Sequence, residues 1–417
     1  MTTQSTSVIW EQEGLSEDAV RRLSKAKNEP DWMLQQRLVA FKAFEELPMP
    51  QLSYGLHVNA PVNIAIQNLR PLENITSHKS SIADDVIIED LSVAATKYES
   101  ILRPLITGSG EYRNKLEALF AAFWNIGVFV YAPKRKQKGA ATQVTLELNQ
   151  KQTTLAAVVV VAEENANIAV VESLIANETG AGASGPAYRI EGDGVIAGRN
   201  ATVKFATLQK LGSNVNSLLM RRAGAGKDAV VDWADISIGG GTTRQETETI
   251  LNGEGAASTI TGAFFCDGSQ QLDIMAKEVH NVKNTTSNIR IRGALQGRAK
   301  AIVQSFTKIT KGAANSQGHQ KANVLLLSDT ARASPIPKLE IDNYDVKASH
   351  EASVGQLDAE KLFYMMSRGL DSKEAVTLVV EGFFEPLLRE LPFAELADDL
   401  RQTIHSKLQA TEEGLAQ

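Results

Sequence analysis

The spacing of apolar residues changes period twice along the chain. Up to about residue 126 it is helical. In "GLSEDAVRRLSKAK" Ala19, Val20 and Leu23 fall on one side, and Ser16 stands at the N-cap position. "EPDWMLQQRLVAFKAFEELPMP" has Pro30 and Asp31 where a helix begins. Leu34, Leu38, Phe41 and Phe44 follow at helical spacing, and Pro48 and Pro50 stop the run. Two more helical patterns cover 84–104 and 112–125. At Gly127 the period becomes two. "GVFVYAP" reads as a strand, and short strands such as "AYRIEG", "DAVVDWADISI", "ASTITGAFF" and "KANVLLL" recur to about residue 349, separated by Gly, Asn, Ser and Asp.

Two architectures produce such a run: an antiparallel sandwich or barrel, and a parallel β-helix. Tight hairpin signals are scarce, "LNGEG" at 251–255 being the clear one, and more than 200 residues of strand pattern is long for one sandwich. The β-helix is favoured. From Asp358 the helical period returns. Asp358 caps "AEKLFYMMSR", Gly369 ends it, and Asp371 with Glu374 has capping-box spacing for the next helix. Val376, Val379, Val380 and Phe383 give that helix an apolar face, and Phe393, Leu396, Leu400, Ile404 and Leu408 stripe a third. The expected organisation is an N-terminal helical domain (1–126), a parallel β-helix core (127–349) and a separate C-terminal helical domain (350–417).

Composition narrows the function classes. Of 417 residues 43% are hydrophobic and 22% charged, ordinary for a globular protein, and the net charge of -6 disfavours a general nucleic-acid surface. The single cysteine, Cys266, excludes an internal disulfide and a Cys-rich metal site made by this chain alone. The most apolar run, 153–176, is interrupted by Glu163, Glu164 and Asn165, so no membrane span is expected. With no signal-like N-terminal segment, the expected compartment is the cytoplasm.

Several motifs fail on context. "GAGASG" at 180–185 fits G-x-G-x-x-G, but Pro186 and a strand pattern follow instead of a helix. "RRAGAGKDAV" resembles the end of a P-loop, but Arg221 replaces its first glycine and Asp228 its hydroxyl residue. Cys266 reads as a small buried residue or a sulfur-carrying thiol. No two of the six histidines have the i, i+4 spacing of a metal helix. A β-helix polysaccharide lyase would gather Asp, Arg and Lys on one sheet face, which a linear sequence neither shows nor excludes.

Residues 321–392, which include "NVLLLSDTARASPIPKLEIDNYDVKASHEASVGQLDAEKLFYMMSRGLD", resemble the C-terminal half of the SufB/SufD family of iron–sulfur cluster assembly proteins. "EPDWMLQQRLVAFKAFEELPMP" and "NKLEALFAAFWNIGVFVYAPK" resemble that family too. The resemblance implies a right-handed parallel β-helix between helical ends. "KLEIDNYDVKASHEASVGQLD" is closest to the SufD pattern, and Ala331 stands where SufB has its scaffold cysteine. SufD members often have His-Gly where this chain has His350-Glu351, which is the SufB pair. The likeness makes His350 and Glu351 candidates for a transient iron or cluster site at a partner interface, with no permanently bound cofactor. It further implies a non-catalytic subunit that pairs with a SufB-like paralogue near the end of the β-helix. A SufC-like ATPase would dock on the C-terminal helices, and a homodimer is the alternative form of the isolated chain. The readings left beside it are a SufB-like scaffold and a polysaccharide-active enzyme.

Overall fold

The computed structural model describes residues 15–49, 77–81, 86–107, 112–136, 142–150, 154–176, 187–391 and 393–410. Pro50 and the 180–185 glycine segment lie outside them.

The N-terminal part holds α1 (Glu17–Ala26), α2 (Asp31–Glu46), β1 (Ser77–Ser81), β2 (Ile87–Asp90), α3 (Leu91–Lys97), α4 (Glu99–Thr107) and α5 (Lys115–Phe123). Ser16 caps α1 by accepting from the Ala19 N–H at 3.1 Å. On α2 the buried side is Trp32, Met33, Arg37, Ala40, Phe41 and Phe44, while Leu34 and Leu38 are half-buried. Arg37 is buried because it meets enough partners. It pairs with Glu29 at 2.7 Å, donates to the Ala122 and Trp124 carbonyls at 2.9 Å, and stacks over the Trp124 ring. Ile87–Asp90, expected to be helical, is a strand because it pairs antiparallel with residues 128–131.

The β body comprises β3 (Ile126–Ala132), β4 (Thr142–Gln150), β5 (Thr154–Ala162), β6 (Asn167–Ala176), β7 (Ala187–Ala197), β8 (Thr202–Lys210), β9 (Val215–Ala225) and β10 (Val230–Ser237). It continues through β11 (Thr242–Leu251), β12 (Ala257–Cys266), β13 (Gln271–His280), β14 (Thr286–Leu295), β15 (Lys300–Ile309), β16 (Ser316–Leu326), β17 (Arg332–Ile341) and β18 (Val346–Gln356). Successive strands alternate between two nine-stranded sheets, ordered β1-β4-β6-β8-β10-β12-β14-β16-β18 and β2-β3-β5-β7-β9-β11-β13-β15-β17. From β3 and β4 onward every pairing is parallel, so the body is a parallel β-solenoid of about seven turns. Between its sheets lies an interior of small and β-branched side chains, including Val158, Val160, Val203, Val231, Ala276 and Val303.

One corner explains the Asn/Asp/Gly punctuation. Asn165, Asn200, Asp228, Gly255, Asn284 and Asn315 occupy equivalent turns with positive φ, a conformation these residue types tolerate best. "LNGEG" is one of these corners. It carries the chain from β11 in one sheet to β12 in the other and is not a hairpin. A Cβ at Gly253 would lie 2.0 Å from the Gly226–Lys227 backbone of the preceding turn, so glycine lets the turns stack.

The C-terminal helices are α6 (Ala359–Ser367), α7 (Ser372–Leu388) and α8 (Ala394–Ala410). The Asp358 cap, the left-handed Gly369 and the Asp371–Glu374 capping box all form. Two sequence expectations need correcting. The last strand continues past 350 to Gln356, because β18 pairs along its whole length with β16. The helical end is also not a free unit. Val380, Phe384, Leu387, Leu396, Leu400 and Ile404 share one core with Ala206, Leu208, Ala234, Ile236 and Phe265 on the outer face of the β4–β18 sheet. Because it lies on a sheet, α7 buries Ala375, Thr377, Val380, Phe384, Leu387 and Leu388, and Phe383 is only half-buried.

Candidate functional site

The solenoid ends in β17 and β18, whose outer edges pair with no other strand among the described residues. Little covers them. β18 is exposed at most positions, and Ile336, Ile341, Tyr344 and Val354 present apolar surface around this end. Such edges are ready to pair or pack with another chain.

His350 and Glu351 lie in the middle of β18, not at its end. Strand alternation sends them to opposite faces. On the outer face, β18 and β16 match residue by residue. Ser349 bonds the His319 Nδ1 at 2.8 Å, Glu351 accepts from the Lys321 Nζ at 2.9 Å, and Ser353 accepts from the Asn323 Nδ2 at 2.6 Å. The Lys321 hydrogen bond, helped by Asn323, holds the Glu351 carboxyl below its ordinary range, so it is ionised at neutral pH. Both side chains of this pair are about half exposed, so it adds little stability.

His350 stands in register with Gln320, on the other face. Gln320 belongs to the solenoid interior, where its amide donates to the Thr307 Oγ1 at 2.8 Å and the Lys338 carbonyl at 3.0 Å. His350 therefore sits over the last interior layer, and it is exposed because no further coil covers it. The chain does not bring His350 and Glu351 together on one ion.

The other sequence candidates fall elsewhere. Cys266 ends β12 and is buried. Burial pushes its thiol up to about 12, against a smaller opposing pull from Lys407, so it is not a reactive thiolate. "RRAGAGKDAV" runs from β9 through a solenoid corner into β10, with no helix to aim amides at a phosphate. Ala331 is fully buried in the interior just before β17.

Sequence reasoning missed a charged cluster. Glu172, Arg189, Glu191, Asp193, Arg221 and Asp235 are all buried between the sheets. In sequence they look like the solvated face of alternating strands. The available signal was that "YRIEGD" alternates apolar and charged residues on a strand whose other face is also covered. Tyr188 and Ile190 pack into the N-terminal helical core, which leaves Arg189, Glu191 and Asp193 pointing inward. An Asp and Arg cluster thus exists, but inside the solenoid, where a polysaccharide cannot reach it. A second buried polar group surrounds His280, which bonds the Thr285 Oγ1 at 2.7 Å and the Ser287 Oγ at 2.8 Å.

Outside these sites, α6 buries none of its residues, and Phe363, Tyr364 and Met366 are exposed on it. Among the described residues no helix is long and apolar enough to cross a membrane.

Comparison with known proteins agrees with this architecture. Residues 145–383 match the family described as SUF system FeS cluster assembly, SufBD core domain. The chain is 29% identical to the iron-sulfur cluster assembly protein SufD of Bacillus subtilis (strain 168), over 94% of this chain and 98% of that one. It is 26% identical to an iron-sulfur cluster assembly SufBD family protein of Staphylococcus haemolyticus (strain JCSC1435), over 98% and 96% of the two chains. A SufBD family protein of Staphylococcus aureus (strain USA300) is likewise 26% identical, over 97% and 95%. The matched core covers more than half of the chain, from β4 through the last strand β18 and into α7, so the chain belongs to the SufB/SufD family of iron–sulfur cluster assembly proteins, on its SufD side.

Proposed function

We propose that the chain is a SufD-like, non-catalytic subunit of a SufBCD-type complex, assisting iron entry and cluster building where its solenoid meets that of a SufB-like paralogue. The observation that carries this reading is the open end of the solenoid. Two edge strands lie there beside exposed apolar side chains, with an uncovered imidazole, His350, on the last of them. A neutral imidazole is a good ligand for iron, and a transient ligand must be reachable. Glu351, ionised and paired with Lys321 on the opposite face, would exchange that lysine for a cation at the rim of the same interface. The buried Ala331 supplies no thiol, which argues against a SufB-like scaffold role. In this reading the SufC-like ATPase docks on the uncovered α6.

The test is His350→Ala in the assembled complex, scored by iron and acid-labile sulfide per complex. The expected result is a large loss of both with subunit association intact, because the exposed ring contributes little packing. Normal cluster content in that variant would refute the assignment.

A further inference from the structure

The buried charged cluster carries a second proposal, independent of the open end. β6 supplies Glu172, and β7 supplies Arg189, Glu191 and Asp193. The three carboxylates are 0%, 0% and 4% exposed, and one oxygen from each lies within 4.8 Å of the other two. Each carboxylate has one oxygen anchored by a hydrogen bond. Glu191 Oε2 accepts from the Arg189 Nε and Nη2 at 2.9 and 2.7 Å. Glu172 Oε2 accepts from the Thr207 hydroxyl at 3.3 Å, and Asp193 Oδ1 from the Val158 N–H at 3.0 Å.

That leaves Glu172 Oε1, Glu191 Oε1 and Asp193 Oδ2 buried without a hydrogen-bond donor. The nearest guanidinium nitrogen to Glu172 Oε1, Arg189 Nη2, is 3.8 Å away, too far for a hydrogen bond. Arg221 turns its Nη1 to Asp235 at 2.6 Å and to Thr207 at 2.7 Å, and its charge also acts on Asp193. The three buried carboxylates outnumber the two guanidinium groups that act on them, Arg189 and Arg221, so the group needs protons or a cation to be neutral. A single shared proton would bridge one pair of oxygens and leave the third orphaned. A hard divalent ion holds neighbouring oxygens about 3 Å apart and opposite ones about 4.2–4.8 Å apart, and no separation within this cluster exceeds 4.8 Å.

We propose that Glu172, Glu191 and Asp193 form a structural site for one hard divalent cation inside the solenoid. The donor set is all oxygen, which selects the Mg²⁺, Ca²⁺, Mn²⁺ and Fe²⁺ class over soft ions. The cation neutralises the residual charge and ties β6 to β7. The site lies six strands from β18 along the sheet, roughly 29 Å at about 4.8 Å per strand, so it is distinct from the interface reading.

The experiment uses the full chain with Mn²⁺ as probe, incubated a few degrees below its thermal midpoint so that the closed site can open, then desalted. About one equivalent of Mn²⁺ should stay bound, and chelator should lower the midpoint. Glu172→Gln with Asp193→Asn, near-isosteric changes, should cut retention at least tenfold with an unchanged circular dichroism spectrum. Mg²⁺, Ca²⁺ and anaerobic Fe²⁺, tested separately, identify which member of the class competes best. No retained Mn²⁺ in the wild-type chain, or equal retention in the variant, overturns the proposal. If the variant does not fold, the wild-type chain decides: a midpoint indifferent to both chelator and Mn²⁺ means that protons fill the cluster and the site fails.

Discussion

If the ATPase docks on α6 as proposed, replacing Phe363 and Tyr364 with aspartate should separate docking from folding at the C-terminal end. α6 buries none of its residues, and Phe363 is 74% exposed and Tyr364 63% exposed. An aromatic side chain offers roughly 200 Å² to a partner, so burying the uncovered three-quarters of Phe363 is worth at most about 4 kcal/mol at about 25 cal/mol/Å². Ordering the side chain takes back about 1 kcal/mol. The remaining ~3 kcal/mol is roughly a hundredfold in affinity for one ring. The folded chain itself should barely respond, within about 0.5 kcal/mol, because neither ring touches a core. The assay is calorimetric titration of the full-length double variant with the SufC-like ATPase, beside urea unfolding of the variant alone. The expected outcome is at least a hundredfold weaker binding with an unchanged urea midpoint. Affinity within threefold of wild type would place the docking surface away from α6. A large drop in midpoint would show that α6 packs more tightly than its exposure indicates.

The opposite behaviour is expected at Phe384, fully buried between α7 and the outer sheet face. Phe384→Ala should destabilise the chain by about 3–5 kcal/mol in urea unfolding, and removing 358–417 should leave no cooperatively folded product, since it uncovers Phe265 and Ile236. A third prediction concerns His280, whose imidazole burial pushes down to about 4. Its folded pKa lies below its unfolded value of about 6.5, so the unfolded state takes up the proton first, and stability falls as pH drops from 6.5 toward 4. At pH 5 the loss is about 2 kcal/mol. Buried Glu278, pushed up by burial, works in the opposite direction, so the measurement is the difference between wild type and His280→Gln at pH 8 and pH 5. A variant with the same pH dependence as wild type would sink the reasoning.

The fold was legible where local rules and tertiary packing agree. Period-two runs became the strands, and Asn, Asp and Gly marked the corners because a left-handed turn admits few other residues. It was misread where a partner overrides local preference. Ile87–Asp90 looks helical but is a strand because β3 supplies its hydrogen bonds. Phe383 looked buried by spacing, but α7 is seated on a sheet by Phe384 and Leu388. The boundary at 350 missed that β18 has a full-length neighbour to pair with. His350 carries no local signal of its role. Its candidacy came from likeness to a family; strand alternation already predicts its separation from Glu351, and the structure adds its exposure. The buried charges were illegible because a sequence shows alternation without saying which side of a strand is inside.

That separation bears on how iron would be held. His350 offers one nitrogen on the interior face of the last coil, and the carboxylate next to it in sequence is turned away and engaged by Lys321. Beside His350 on that face stand Gln320, whose amide nitrogen is committed to Thr307 and Lys338 while its oxygen has no hydrogen-bond donor, and the small residues Ala348 and Ala352. A first-row metal needs four or more donors, more than His350 and Gln320 supply. If His350 is an iron ligand as proposed, the site needs donors from a second chain and would open when the two solenoid ends part. In that reading an incomplete site is useful, because a complete, closed one would retain the metal.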